Sequence, residues 1–222
     1  MTPWLVRITL AALGGACLVA GCTTPLGQMI GQTPPYQPNN IYQPNAKLPD
    51  HLRRVAVLPI ASSSLPEGQH AQDTLQPVLQ TELGKTKRFE LVWITPERLL
   101  TWTGKRGWSA AEPLPTNFQH ALGEQLGCDG VFFSELTRYQ PYTPLVLGWN
   151  FKLVDLKSAQ ILWGADEVFD ASDPRVSSGA RAYESKHSTL RGSLADARSI
   201  LTSPTEFGHY TVEAIFARLA PR

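Results

Sequence analysis

The sequence predicts an α/β (α+β) domain of three layers, in which a mixed sheet with a β-α-β start and a three-strand antiparallel meander carries flanking helices, including a C-terminal one. Three observations point there. Apolar runs at 53–60 and 89–94 flank a stretch with helical periodicity, a spacing that suits a parallel strand pair with a crossover. Three strand-like runs, GVFFSELTRY, LVLGWNFKLVDL and AQILWGADEVFD, follow one another between 130 and 170 across links of hairpin length, PYTP and KS. Near the end, Ser203-Pro204-Thr205-Glu206 offers a cap, a proline at the first helical position and an acid three residues after the cap.

The elements follow in order. Arg53 to Ile60, RRVAVLPI, is a short valine-rich run that fits a buried strand. A turn-prone SSSLPEGQ leads to a helix over 70–85, where Leu75, Val78, Leu79 and Leu83 share a face; Pro77 is read as marking the first turn and Gly84 lies near the end. FELVWI, 89–94, is the second strand, and Pro96 to Trp102 a short helix. After the loop TGKRGWSAAEPLP, a helix over 117–126 places Phe118, Ala121, Leu122 and Leu126 together. In the second meander run Trp149, Phe151 and Leu153 alternate with Asn150 and Lys152, the pattern of a half-buried antiparallel strand. Helical segments are expected over 175–187 and around 194–201, and the capped C-terminal helix carries Phe207, Tyr210, Ala214, Ile215 and Leu219 on one face.

Composition excludes several classes. With 222 residues and 42% hydrophobic content the chain can build a core. Twenty Lys plus Arg against nineteen Asp plus Glu leave no basic footprint for nucleic acid. Three cysteines, Cys17, Cys22 and Cys128, make neither a disulfide framework nor a Cys-based zinc set. The five histidines form no H-E-x-x-H or H-x-x-x-H pattern, and there is no G-x-S-x-G elbow or phosphate-binding loop. No catalytic residue, metal site or cofactor is therefore expected.

The amino terminus sets the compartment. Arg7 precedes an apolar run from Ile8 to Gly21 that is shorter than the roughly 20 residues a membrane-spanning helix needs, so 1–21 reads as a cleaved export signal. Leu18-Val19-Ala20-Gly21-Cys22 resembles the lipobox of bacterial lipoproteins. The resemblance implies a thioether-linked diacylglyceryl group on Cys22, cleavage before it and acylation of the new amino group. It further implies sorting to the periplasmic face of the outer membrane, because no Asp follows the cysteine. Residues 22–50, rich in Pro, Gln and Asn, cannot hold a continuous helix. They are either a semi-rigid tether or an arm that docks through Tyr36, Ile41 and Tyr42; in both cases residues 51–222 form a single globular domain.

RRVAVLPI, KRFELVW, ALGEQLGCDGVFFSEL and FKLVDLKSAQILW together resemble a group of bacterial periplasmic lipoproteins and related domains. The group includes the curli secretion lipoprotein, the lipoproteins that activate penicillin-binding proteins, and the amino-terminal domain of the periplasmic Tol propeller protein. The resemblance covers 53–170, and its motifs are structural: Leu126-Gly-Cys-Asp-Gly130 matches the group's Leu-Gly-Ala-Asp pattern before a strand. It implies a non-enzymatic role in binding an unidentified envelope protein as an assembly, activation or accessory factor, or, alternatively, an oligomeric part of a secretion or transport system. The hairpins here lack the inserts of about 9 to 11 residues per strand that a spanning barrel needs.

Two aromatic clusters are candidate partner-binding sites. The loop WTGKRGW combines Trp102 and Trp108 with Lys105 and Arg106, residue types enriched at interface hot spots, and Tyr139 with Tyr142 marks a hairpin tip. The competing reading places the tryptophans in the core. Asp166, Glu167, Asp170 and Asp173 read as a solvated strand end, since alternation sends Asp166 and Glu167 to opposite faces. Cys128 reads as a buried structural thiol.

Overall fold

A computed structural model describes residues 34–62, 64–191 and 200–222. The export signal, Cys22 and most of the helix expected around 194–201 lie outside the described residues. Strands β1 (Ile41–Tyr42), β2 (Arg54–Val57), β3 (Glu90–Trp93), β4 (Gly130–Gln140), β5 (Val146–Asp155) and β6 (Ile161–Asp170) form one mixed sheet in the order β1-β6-β5-β4-β2-β3. β2 lies parallel to both β3 and β4, while β4, β5 and β6 form the antiparallel meander. The α+β class, the crossover and the meander are as the sequence predicts.

One face of the sheet carries α1 (Gly68–Thr86), α4 (Pro174–Arg191) and α5 (Pro204–Phe216). Its core joins Leu75, Val78 and Leu83 of α1 and Phe207, Ile215 and Phe216 of α5 to Val55, Phe132, Trp149, Phe151, Leu153, Trp163 and Phe169 of the strands. The rings are packed against one another, with Trp149 stacked on Phe151 at 5.2 Å and Phe216 inclined over Phe151 at 5.2 Å. Both indole N–H groups find acceptors: Trp149 donates to Thr211 Oγ1 (3.0 Å) and Trp163 to the Arg218 carbonyl (3.2 Å). That is the condition under which a Trp is buried cheaply.

The opposite face is covered over β3, β2 and β4 by α2 (Pro96–Thr103), α3 (Thr116–His120) and the loop between them, around Ala56, Leu58, Leu99, Trp108, Phe118, Val131 and Phe133. On β5 and β6 this face presents Gly148, Asn150, Lys152, Gly164, Asp166 and Val168, and Val168 is 40% exposed. Tyr42 of β1 pairs with Gly164, so it projects on the same side, exposed.

Local chemistry explains the boundaries. Thr95 caps α2 by accepting from the Arg98 amide (3.2 Å), and Gly104 ends it at φ 76°, a left-handed conformation that glycine adopts without a Cβ penalty. Ser203 caps α5 by accepting from the Glu206 amide, the arrangement its sequence predicts. Pro77 departs from expectation. It stands inside α1 rather than at its first turn, because α1 begins at Gly68. Proline leaves the Asp73 carbonyl without its helical donor. The break is tolerated because Asp73 and Pro77 both face solvent.

The helix expected over 117–126 divides into α3 and a π-helical turn at 121–125. The following string then closes the crossover. Gly127 takes φ 60°, Asp129 Oδ2 accepts from the amides of Arg53 and Arg54 (2.9 Å each), and Gly130 leaves room for Leu52, whose Cδ1 would lie 2.7 Å from an added Cβ. Leu-Gly-Cys-Asp-Gly is thus a device that pins the start of β2 to the start of β4.

Residues 34–50 form the docked arm, the second of the two readings the sequence left open. Ile41 and Tyr42 pair antiparallel with Ala165 and Gly164 at the edge of β6. Leu48 is buried, and its amide donates to the Pro221 carbonyl (2.8 Å).

Candidate functional site

The loop 102–108 is built by the end of α2. Trp102 packs against Phe118 with ring centroids 5.7 Å apart, and the Arg98 guanidinium lies over its other side at 4.5 Å. Trp108 is 6% exposed and belongs to the core, its indole N–H donating to the Glu112 carbonyl (3.3 Å). Lys105 sits 4.8 Å from the Trp108 ring and pairs with Glu112; Arg106 pairs with Glu97 at 3.3 Å. Of the four residues singled out from sequence, Trp102 belongs to the last turn of α2 and Lys105, Arg106 and Trp108 to the loop that follows; Trp108 is buried and the two charged heads are exposed. Beyond it, Ser109 Oγ donates to Glu135 Oε2 (2.7 Å) and Lys152 Nζ to the Ala110 carbonyl, which ties the loop to β4 and β5.

Tyr139 and Tyr142 stand at the β4–β5 tip. Tyr139 is half-buried, edge-on to His70 at 6.3 Å, and burial raises its hydroxyl pKa above the ordinary value. Tyr142 is 72% exposed. The Gln140 amide donates to the carbonyls of Pro144 (2.6 Å) and Tyr142 (3.4 Å), which holds the tip in one shape.

Three groupings were not legible as sites in the sequence. The first is the arm's anchor: Glu167, 3% exposed, accepts from the Tyr36 hydroxyl and from the amides of Asn39 (2.5 Å) and Asn40 (2.7 Å). Three donors satisfy a carboxylate that pairs with no cation among the described residues, which is what its burial requires. Tyr36 is fixed further by its backbone N–H, which donates to the Arg175 carbonyl (3.0 Å), and by its ring against Phe169 (5.2 Å). Burial, and then the bond to Glu167, push the Tyr36 hydroxyl well above its ordinary pKa. For Glu167 the reading of a solvated strand end is corrected: Asp166 is exposed, but Glu167 shares the inward face of Trp163, Ala165 and Phe169. That alternation was the signal that could have found it.

The second lies between α1 and α5. Glu82, buried on α1, receives Lys85 Nζ and His209 Nδ1, each at 2.6 Å. Burial alone would raise its pKa, but the hydrogen bonds from His209 and Lys85 outweigh it and hold the carboxyl below the ordinary range. The third is a groove of about 530 Å³ beside the π-helical turn, lined by His51, His120, Glu124, Cys128, Asp129 and Lys157 among others. The Cys128 thiol is buried and pushed up by that burial, and His51 pairs instead with the buried Asp155 at 3.4 Å. Among the described residues no three His, Cys, Asp or Glu side chains are placed to hold a metal ion, and no helix is long and apolar enough to cross a membrane.

The class this geometry defines is a six-stranded α+β domain with one covered and one half-open sheet face. No protein-family model matches the chain, and no curated protein does. Among solved structures it is similar to the PelC dodecamer from Paraburkholderia phytofirmans, at 14% identity over 82% of this chain and 97% of that one, with a TM-score of 0.43. The lipoprotein GNA1162 from Neisseria meningitidis matches at 13% identity over 64% of this chain and 99% of its own, TM-score 0.39. The LpoB C-terminal domain from Escherichia coli matches at 16% identity over 53% and 82%, TM-score 0.33.

Proposed function

We propose that the chain is a lipid-anchored protein of the bacterial envelope, on the periplasmic face of the outer membrane. Its domain acts without enzymatic turnover, as a protein-binding assembly, activation or accessory factor. The observation that carries the reading is the string Leu18-Val-Ala-Gly-Cys22 at the end of a short apolar run, upstream of a compact fold. Two or more acyl chains make attachment effectively permanent, since each buried methylene contributes about 0.8 kcal/mol and one chain alone holds only marginally. The domain's prominent ionisable groups support a binding role: Glu167 and Glu82 are taken up in holding the arm and the helix pair.

The anchor is tested by Cys22→Ala in a Gram-negative host. The variant accumulates as precursor or leaves the membrane fraction; unchanged membrane retention defeats the anchor. The binding role is tested by photo-crosslinking in cells from Arg106, an exposed position on the loop, and identification of the captured protein. A turnover abolished by substituting a histidine or carboxylate would overturn the non-enzymatic assignment.

A further inference from the structure

The docked arm sets the end of the domain at which the described chain begins. Tyr36 is bonded to Arg175 and packed on Phe169, and from there the arm runs along β6 to Tyr42 beside Gly164. Pro34, the first described residue, therefore lies past the end of β6. This is the end that carries the β4–β5 tip, because Phe169 pairs with Leu147, Asp170 with Val146, and the Ala171 amide donates to the Leu145 carbonyl (2.9 Å). The turn between β5 and β6, with Lys157, lies at the other end of the same strands.

Only twelve residue steps separate Cys22 from Pro34, a reach of at most about 40 Å. A domain of this size has a radius of gyration of about 16 Å and so spans about 40 Å. The opposite end could be turned to the bilayer only if the connecting residues ran their whole length along the domain.

The β4–β5 tip is also suited to the interface chemically. Its residues are Pro141, Tyr142, Thr143 and Pro144, so two of the four bring no amide N–H. The carbonyls of Tyr142 and Pro144 are already satisfied by Gln140, which lowers the cost of removing them from water. Tyr142 is 72% exposed, and tyrosine, with an apolar ring and a polar tip, is enriched at the headgroup level of membranes. We infer that the β4–β5 tip, through Tyr142, rests on the lipid surface to which Cys22 is anchored, so that the half-open sheet face stands upright and accessible to partners. This rests on the lipid anchor proposed above.

The test uses the full chain, purified from membranes and reconstituted into phosphatidylethanolamine–phosphatidylglycerol vesicles. In a Cys128→Ala background, Tyr142→Cys and Lys157→Cys variants each carry an environment-sensitive fluorophore, and lipids with a shallow nitroxide serve as quenchers. Intact mass reports acylation of the same samples. The expected result is a blue shift and several-fold stronger quenching at 142 than at 157. An acylated chain with equal quenching at the two positions, or stronger quenching at 157, overturns the inference and leaves the anchor standing. A chain without acyl mass that washes off the vesicles overturns both. A water-exposed probe at 142 on an acylated chain also overturns it, and makes the tip a contact for protein rather than lipid.

Discussion

The two faces of the sheet are made from the same strands yet are finished in different ways. On the face beneath α1, α4 and α5, β5 and β6 contribute Trp149, Phe151, Leu153, Trp163 and Phe169, and the buried polar groups of Trp149, Trp163, Glu167 and Glu82 each have a specific partner. On the other face the same two strands contribute Gly148, Asn150, Lys152, Gly164, Asp166 and Val168, and among the described residues only the half over β2, β3 and β4 is roofed. The larger core is thus on one side, and on the other side Asp166 and Val168 of β6 stand exposed. That division yields a graded set of expectations.

The largest effect belongs to the centre of the covered face. Trp149→Ala removes a fully buried ring stacked on Phe151 and is expected to cost about 3–5 kcal/mol, read as a lowered urea midpoint. Thr211→Val keeps the shape but strands the indole N–H, at about 1–3 kcal/mol. Loss of less than 1 kcal/mol from Trp149→Ala would mean that this face is not where the fold is held.

The arm sharpens the comparison because, besides its strand pairing with β6, it is held to the covered face at a buried carboxylate. Tyr36→Phe leaves Glu167 short of one of its three donors, and a cost of about 1–2 kcal/mol is expected. Hydrogen exchange is the more telling measurement: the Asn39 and Asn40 amides should exchange faster in the variant, with β4 and β5 unchanged. Equal acceleration throughout the sheet would show that the arm unfolds only with the whole domain.

Between α1 and α5 the lever is pH. Glu82 titrates below the ordinary carboxyl value of 4.5, so the folded state binds its proton more weakly than the unfolded state. Its contribution is present above that value and is lost as pH falls through the folded pKa. Denaturant midpoints of the wild type should decline as pH drops below about 4.5, and Glu82→Gln should flatten part of that decline while lowering stability near neutrality. An unchanged acid slope would assign the decline to other carboxylates, of which Asp155, also lowered, is the first to examine.

How far all this was legible follows the same division. Periods of two and of 3.6 residues, with the cap at Ser203, were sufficient for the strands, the crossover and α5, because those signals are local. Pro77 misled because a proline at a first turn and a proline on a solvent-facing helix side look alike until the helix start is known. The docking of the arm depends on Tyr36 meeting Glu167, 131 residues away, and no local pattern encodes that pairing. Of the candidate site residues, the glycines of WTGKRGW were enough to mark a loop, though Trp102 itself closes α2. Trp108 turns into the core cluster that includes Leu58 and Phe133, and its indole N–H meets the Glu112 carbonyl, groups that are remote in sequence or placed by the loop's own conformation.

The smallest expected effect is the one that tests the open half-face most directly. Val168 and Asp166 project from β6 away from the aromatic core, and both are exposed. Val168→Thr keeps the branched side chain that suits a strand while replacing an exposed methyl with a hydroxyl, so stability should stay within about 0.5 kcal/mol. Asp166→Asn should behave likewise. If either substitution lowers the urea midpoint as much as Thr211→Val, then something in the folded protein covers this face and the asymmetry is only apparent. If stability holds while capture of a partner from Arg106 or function in cells falls, the half-open face is where binding is done, and the two faces divide the work between holding the fold and meeting the partner.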